Sequence, residues 1–327
     1  MRFRPYIFLV DPWDDLTDID SGWGNRLQHW EAASIIDSKT GSRHRIRVLP
    51  NHYPELNHAK LPDTGYIDQD EVNAIPITNK DVDRWVLDQK IDLDPNSNYS
   101  IEFDFYHSSL IRDNFFDINN NKVLDIKLLS PELNLALDKF SNSKIGIHIR
   151  RGNGVRVTSK DIRSIPKEYR KFYNECELND PLYAFCKDSE YFNFIDQTIE
   201  NDNNVGLGNV KFYIGIDVDE KAIEYYKTKY PNRIYTVSDV IDKIKPILDQ
   251  TSFLEPRLHL KKMGTTLLDF FTLTKSSRII TSPFSSWSYM ACRVSGKDGT
   301  EIKNLDHIEE LSAKPHTSSN PLIKKIV

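Results

Sequence analysis

The chain has 327 residues, of which 39% are hydrophobic and 28% charged, and its formal net charge is −5. This composition is typical of a water-soluble globular protein of about two domains, and the acidic balance argues against nucleic-acid binding as the main role. No stretch approaches the roughly 20 apolar residues that span a bilayer, and the three cysteines have no paired spacing, so we expect a reducing, cytoplasmic setting without structural zinc.

The first half of the chain has an irregular texture. Residues 6–10 predict a buried strand, because this apolar run is too short for a signal peptide and is followed by DPWDD. A second strand-like run covers residues 100–105, and helical patterns cover residues 25–36 and 131–140. Long polar connections, such as residues 51–83, separate these elements.

The second half alternates strands with helices. Strands are predicted at residues 144–149, 210–216, 234–237 and 278–281, and helices at residues 189–199, 220–230, 257–275 and from about 285. Such alternation predicts an α/β fold with a parallel sheet. We therefore predict a first domain at residues 1–143, expected on the acceptor side, a second domain at 144–300, and a tail at 301–327 that packs back on the body.

Polar residues follow three of the predicted strands. In open parallel sheets, ligands bind outside the carboxyl ends of the strands. Strands ending near residues 149, 216 and 281 therefore predict one shared site.

Residues 148–154 read HIRRGNG and end the first strand of the second half. Alternation places His148 and Arg150 on one face, and Arg151 begins the loop. Two guanidiniums can fork onto diphosphate oxygens, while Gly152 lets the backbone approach a phosphate closely. The plain alternative is a pair of surface arginines in ion pairs beside a core histidine.

Three further positions offer polar groups in the second half. Asp217 ends a buried strand and could bind ribose or a purine, or simply cap the next helix. Asp269 lies in an apolar helical stretch and should have a partner, structural or ligand, because an unpaired buried carboxylate is costly. Ser285 and Ser286 precede a helix, where hydroxyls and free N–H groups form an anion site; an ordinary serine cap is the alternative.

One glycine-rich turn in the first half enters a helix. Residues 21–27 read SGWGNRL, which is neither a Walker loop nor a dinucleotide fingerprint. Arg26 could reach a phosphate, whereas the plain interpretation is a strand–helix turn capped by Asn25.

Together these stretches resemble the fucosyltransferase superfamily, which includes the α-1,6-fucosyltransferases, the rhizobial nodulation fucosyltransferase and the protein O-fucosyltransferases. The shared elements are the HIRR motif at 148–151, the strand–Asp–helix unit from Tyr213 to Asn232, the Asp269-to-Ser286 stretch, and the Gly-Asn-Arg-Leu turn. The resemblance covers about residues 144–295, and in the first half only residues 24–27. Many members have Asp where this chain has Asn153.

The resemblance implies a GT-B-type fold of two facing Rossmann-like domains and a metal-independent, inverting transferase without a cofactor. GDP-fucose would be the donor and an oligosaccharide or other glycan the acceptor. By position, Arg150 and Arg151 would neutralise the diphosphate, and His148 and Asp269 would recognise guanine. Asp217 would support donor binding, and Ser285 or Ser286 would hold phosphate oxygens.

The catalytic base is not defined by a motif. Some relatives place a carboxylate where this chain has Thr158. Asp161 is the nearest carboxylate, although its pattern favours a solvated loop residue slightly over a base. Glu31 is a reserve candidate. Three alternatives stay open: the same fold with another nucleotide-sugar donor, a non-catalytic nucleotide- or glycan-binding relative, and a phosphatase with His148 as nucleophile.

Overall fold

The structure, a computed structural model of the chain, describes residues 5–10, 23–41, 44–49, 54–68, 71–116, 126–149, 188–216, 220–250, 258–282, 285–297, 299–301 and 323–325. One compact unit runs to Leu129, and a second begins at Ser130. No helix within these ranges is long and apolar enough to cross a membrane.

The first unit is built on a parallel sheet. Its elements are the strands β1 (Tyr6–Leu9), β2 (Arg45–Val48), β3 (Ala59–Lys60), β4 (Thr64–Tyr66), β5 (Ile75–Ile77), β6 (Tyr99–Ile101) and β7 (Lys127–Leu128), the helices α1 (Trp23–Thr40), α2 (Asn79–Asp88) and α3 (Phe105–Phe115), and a 3₁₀ turn (Pro54–Asn57). Among the described residues, five strands pair in the order β4-β2-β1-β6-β5, and β3 pairs antiparallel with β7. All four residues of the central strand β1 are buried, as expected for a strand covered on both faces.

Two predictions for the first unit are corrected. Helix α1 begins at Trp23, so Asn25 is inside its first turn and is not its cap. The strand predicted over residues 100–105 ends at Ile101, because Asp104 accepts the backbone N–H of His107 at 2.9 Å and starts α3. A short acidic side chain at a helix N-cap outweighs the β-propensity of the aromatic residues beside it.

The second unit holds a larger parallel sheet. Its helices are α4 (Pro131–Ser141), α5 (Asp188–Asn204), α6 (Glu220–Lys229), α7 (Val237–Leu248), α8 (Leu258–Lys275) and α9 (Ser286–Ser295); its strands are β8 (Lys144–Ile149), β9 (Lys211–Ile216), β10 (Ile234–Tyr235), β11 (Arg278–Thr281), β12 (Gly299–Glu301) and β13 (Ile323–Lys325). In the described part, the strand order is β10-β9-β8-β11-β12-β13. Counted from β8, this is third, second, first, fourth, fifth, sixth, the order of doubly wound nucleotide-binding sheets.

Predicted and observed elements agree closely here, except at two ends: the helix predicted over residues 189–199 continues to Asn204, and one strand is shorter than predicted. The strands at 144–149 and 278–281 have the predicted bounds. The strand predicted to reach residue 237 stops at Tyr235, because Thr236 caps α7: its backbone N–H donates to Asp239 at 2.7 Å in a capping box.

Helix α4 packs against α7, α8 and β8, so the division between units precedes α4, whereas the sequence-based boundary near residue 143 follows it.

The two faces of the second sheet differ in character. One face is apolar: Ile147 and Ile149 of β8 join Phe212 and Ile214 of β9 in a core with helices α5 and α6. The other face carries Gly146, where a Cβ would lie 2.7 Å from Leu273 of α8. Helix α8 therefore lies very close to the sheet on this side.

In the tail, the described residues 323–325 form β13, which pairs in parallel with β12.

Candidate functional site

The carboxyl ends of β8, β9 and β11 lie side by side at one edge of the second sheet. This confirms that the strand ends near residues 149, 216 and 281 come together. The strand order reverses between β8 and β11, and ligands of doubly wound sheets bind at such a switch point. His148 and Ser282 lie at the ends of these two strands.

His148 is fully buried and held by serines of the last described helix. Its Nδ1 is 2.6 Å from the Oγ of Ser288 and 3.3 Å from the Oγ of Ser285. The ring of Trp287 stacks on the imidazole with a centroid distance of 6.3 Å and an interplanar angle of 26°. The start of α9 therefore fixes the position and orientation of this ring.

A second contact ties β8 to β11. The Oγ of Ser282 donates to the carbonyl oxygen of His148 at 2.7 Å, and the hydroxyl of Tyr191 is 2.9 Å from the same Oγ. A carbonyl can only accept, so Ser282 spends its hydrogen there and Tyr191 must donate to Ser282. These hydrogen bonds join the carboxyl ends of β8 and β11 to helix α5 at the switch point.

Asp269 lies beside His148 on the face that α8 covers. Gly215 is the in-register partner of His148, and registered residues of parallel strands project to the same face. A Cβ at Gly215 would lie 2.9 Å from Asp269 Oδ1, so the carboxylate occupies the space a side chain would take. The site thus places an imidazole and a carboxylate next to each other.

Tyr213 holds that carboxylate. Its buried hydroxyl donates to Asp269 Oδ1. Burial first, and then the negative charge of Asp269, raise the pKa of Tyr213 well above its ordinary value. The hydroxyl therefore keeps its hydrogen at neutral pH and acts as a donor. One partner of Asp269 is thus a tyrosine hydroxyl.

The serines predicted to precede a helix are at the N-terminus of α9. Ser285 is the N-cap, and its side chain accepts the backbone N–H of Ser288 at 3.4 Å. Ser286 is the first helical residue. Ser285 is thus both a cap and a partner of His148, and the first-turn N–H groups make this end favourable for an anion.

The predicted first-half residues lie in the first unit. Arg26 is on α1 with 5% of its surface exposed, and Asn25 beside it is half-buried. Glu31, the reserve base, is buried on the same helix at 3% exposure. Burying a charged side chain is costly unless it has polar partners, so we expect Arg26 and Glu31 to be paired within the first unit.

Several predicted residues lie outside the described ranges: Arg150, Arg151, Gly152, Asp161 and Asp217. Their roles stay predictions. Within the described ranges, no three His, Cys, Asp or Glu side chains gather as metal ligands would.

Sequence reasoning missed Ser288, Trp287 and Tyr213 as members of the site. Strand alternation gave a signal for Tyr213, because it shares a face with Gly215, opposite the apolar Ile214. Ser288 follows Ser285 by three residues, which is the N-cap spacing, but contact with His148 across 140 positions is visible only in the fold.

No protein-family model matches the chain, and no curated protein matches it. Among solved structures, NodZ α-1,6-fucosyltransferase soaked with GDP-fucose matches over 89% of this chain and 93% of its own, at 12% identity and a TM-score of 0.46. Fucosyltransferase NodZ from Bradyrhizobium matches over 88% and 93%, at 13% identity and 0.45. A mutant of Arabidopsis thaliana FUT1 in complex with GDP matches over 92% and 70%, at 11% identity and 0.47.

These structures come from the superfamily that the sequence motifs resemble. At such low identity and TM-score, the likeness by itself assigns no activity to this chain.

Proposed function

We propose that this chain is a glycosyltransferase that binds a GDP-sugar and transfers the sugar, L-fucose in the favoured case, to a glycan acceptor. The observation that carries the proposal is the position of Asp269 at Gly215, the strand residue in register with His148, at the switch point of a doubly wound sheet. A purine nucleotide is the type of ligand that such a switch point accommodates.

The two side chains suit guanine. Guanine presents the acceptors O6 and N7 and the donor N2–H₂, with N1–H beside it. A carboxylate offers several acceptor sites, so Asp269 can accept guanine N–H groups while Oδ1 holds the Tyr213 hydroxyl. An imidazole N–H of His148 can donate to O6 or N7.

The diphosphate would be bound by residues around the strand ends. In this proposal Arg150 and Arg151 fork onto its oxygens, Gly152 allows close approach, and Ser285 or Ser286 adds hydroxyl and N–H donors from the start of α9. Asp217 would contact the ribose or support the loop. Asn25 and Arg26 would contribute from the first domain of a GT-B-type arrangement.

The chemistry follows from where charge develops. As GDP leaves, negative charge grows on the β-phosphate, and fixed guanidiniums stabilise it most in the transition state. An acceptor hydroxyl attacks the anomeric carbon from the opposite side while the sugar–phosphate bond breaks, which inverts the configuration. Asp161 is the proposed base for the hydroxyl proton. In this scheme the arginines supply the positive charge that a metal ion would otherwise provide.

The deciding experiment is calorimetric titration with GDP in EDTA. We expect micromolar binding by the wild type and its loss in Arg151→Ala. Arg278→Ala is the matched control, because this exposed arginine is at the opposite end of β11. The absence of GDP binding in the wild type would remove the basis for the proposal.

The donor sugar needs its own measurement. His148 and Asp269 would bind the nucleotide of any GDP-sugar, so they do not select fucose. We expect GDP-fucose to compete with labelled GDP more strongly than GDP-mannose does. Equal competition, or tight GDP binding with none of GDP-fucose, would reject the fucose assignment.

A further inference from the structure

Two serine hydroxyls converge on one nitrogen of the buried His148. Ser288 Oγ is 2.6 Å and Ser285 Oγ 3.3 Å from Nδ1. Each of these oxygens already accepts a backbone N–H: Ser282 N–H donates to Ser288 Oγ at 3.3 Å, and Ser288 N–H donates to Ser285 Oγ at 3.4 Å. Each hydroxyl therefore still has its own hydrogen to donate, and Nδ1 lies within hydrogen-bond distance of both.

The donor and acceptor roles in the other hydrogen bonds around His148 are consistent with this arrangement. Ser282 donates its hydroxyl hydrogen to the carbonyl of His148, so that hydrogen is not available to the ring. The ring of Trp287, on the same helix as Ser288, lies nearly parallel to the imidazole at a centroid distance of 6.3 Å. A neutral imidazole carries its single hydrogen on one nitrogen, and a nitrogen that accepts a hydrogen bond leaves it on the other.

We propose that Ser288 is a positioning residue that holds His148 in the tautomer with its hydrogen on Nε2. The serine acts through the histidine and need not touch a ligand. Its consequence for ligand choice rests on the proposed function: an imidazole fixed as an Nε2–H donor requires an acceptor on the base. Guanine offers two such acceptors, O6 and N7, whereas adenine offers N7 alone and presents the donor N6–H₂ where guanine has O6, so guanine fits the donor better.

The direct test is ¹⁵N nuclear magnetic resonance of the unliganded full chain labelled at histidine, above the pH at which imidazole protonates. The chain has nine histidines, so the His148 signal is assigned by its disappearance in His148→Asn. We expect an unprotonated Nδ1 and a protonated Nε2. A wild-type spectrum with the hydrogen on Nδ1 overturns the proposal, whatever the variants do.

Three variants separate positioning from general packing. Ser288→Ala should populate the other tautomer and weaken GDP binding about tenfold, the effect of one buried hydrogen bond. Ser288→Thr keeps the hydroxyl and should restore both readouts. Ser285→Ala removes the helix cap and the more distant hydroxyl and should leave the tautomer unchanged. An unaltered tautomer in Ser288→Ala overturns the proposal.

The two proposals fail separately. Because the tautomer is read without ligand, an Nε2–H histidine in a chain that does not bind GDP rejects only the proposed function. An Nδ1–H histidine in a chain that binds GDP rejects only the role of Ser288.

Discussion

Asp269 is held by a tyrosine hydroxyl, and this choice of partner affects what the carboxylate can do. The neutral Tyr213 hydroxyl fixes one oxygen of the carboxylate by donating a hydrogen bond to it, without adding a positive charge. The raised pKa of Tyr213, due first to burial and then to Asp269, keeps that hydroxyl a donor. At the residue scale, the site thus has a carboxylate oriented by a neutral group.

The role of Tyr213 can be tested by removing its hydroxyl. In Tyr213→Phe we expect a loss of about 1.5–3 kcal/mol in the free energy of unfolding, the usual value for a hydrogen bond to a charged group. We also expect weaker GDP binding, since the carboxylate is no longer held. Urea denaturation and calorimetry measure the two effects.

Tyr66→Phe is the control, because it removes an exposed hydroxyl that donates to Asn57 in the first unit. Unchanged GDP affinity in Tyr213→Phe would show that Asp269 is oriented by other contacts.

Helix α8 and the strands beside it form the element that builds the site. Two glycines let the helix approach: a Cβ at Gly146 would meet Leu273 at 2.7 Å, and one at Gly215 would meet Asp269 at 2.9 Å. The first glycine accommodates the packing of an apolar side chain, and the second makes room for a carboxylate beside His148. The absence of a side chain thus allows close packing at Gly146 and makes room for the candidate site at Gly215.

Alanine at these glycines should separate the two roles. Gly146→Ala forces α8 away from the sheet, and overpacking of this kind costs about 1–3 kcal/mol of stability. Gly215→Ala displaces only the end of one side chain, so we expect a smaller loss of stability and a clear loss of GDP affinity. Urea denaturation and calorimetry on both variants check this. The reverse order of effects would contradict the arrangement of the face.

On the scale of the whole molecule, the chain forms two units with a parallel sheet in each, and α4 belongs to the second. Leu133, Leu137 and Phe140 of α4 are buried. Because α4 packs against α7, α8 and β8, removing it would expose apolar surface on those elements.

Fragments test the position of this division. A fragment of residues 130–327 keeps α4, whereas one of residues 144–327 lacks it. Burying each large apolar side chain contributes about 1.5–3 kcal/mol, so the longer fragment should be more stable by several kcal/mol in urea denaturation. Equal stability of the two would place the boundary after α4, where the sequence pattern put it.

The sequence by itself determined the α/β class, the parallel sheet of the second unit and the meeting of its strand ends. It could do so because burial on both faces of a parallel strand leaves a continuous apolar run, as in residues 144–149 and 210–216, and because alternation with helices makes the strands parallel. His148 was found near the end of such a run, Asp269 because it interrupts an apolar helical stretch, and Ser285 because it precedes a helix.

Only the tertiary structure decided which groups touch them. Ser288 reaches His148 across 140 positions, and Tyr213 reaches Asp269 across 56. Contacts of this range depend on strand order and on how closely α8 approaches the sheet, and no local sequence pattern encodes either of these. Helix capping likewise outweighed β-propensity at Asp104 and Thr236. Each of these residues is the N-cap of a helix, although the aromatic and β-branched residues beside it favour a strand.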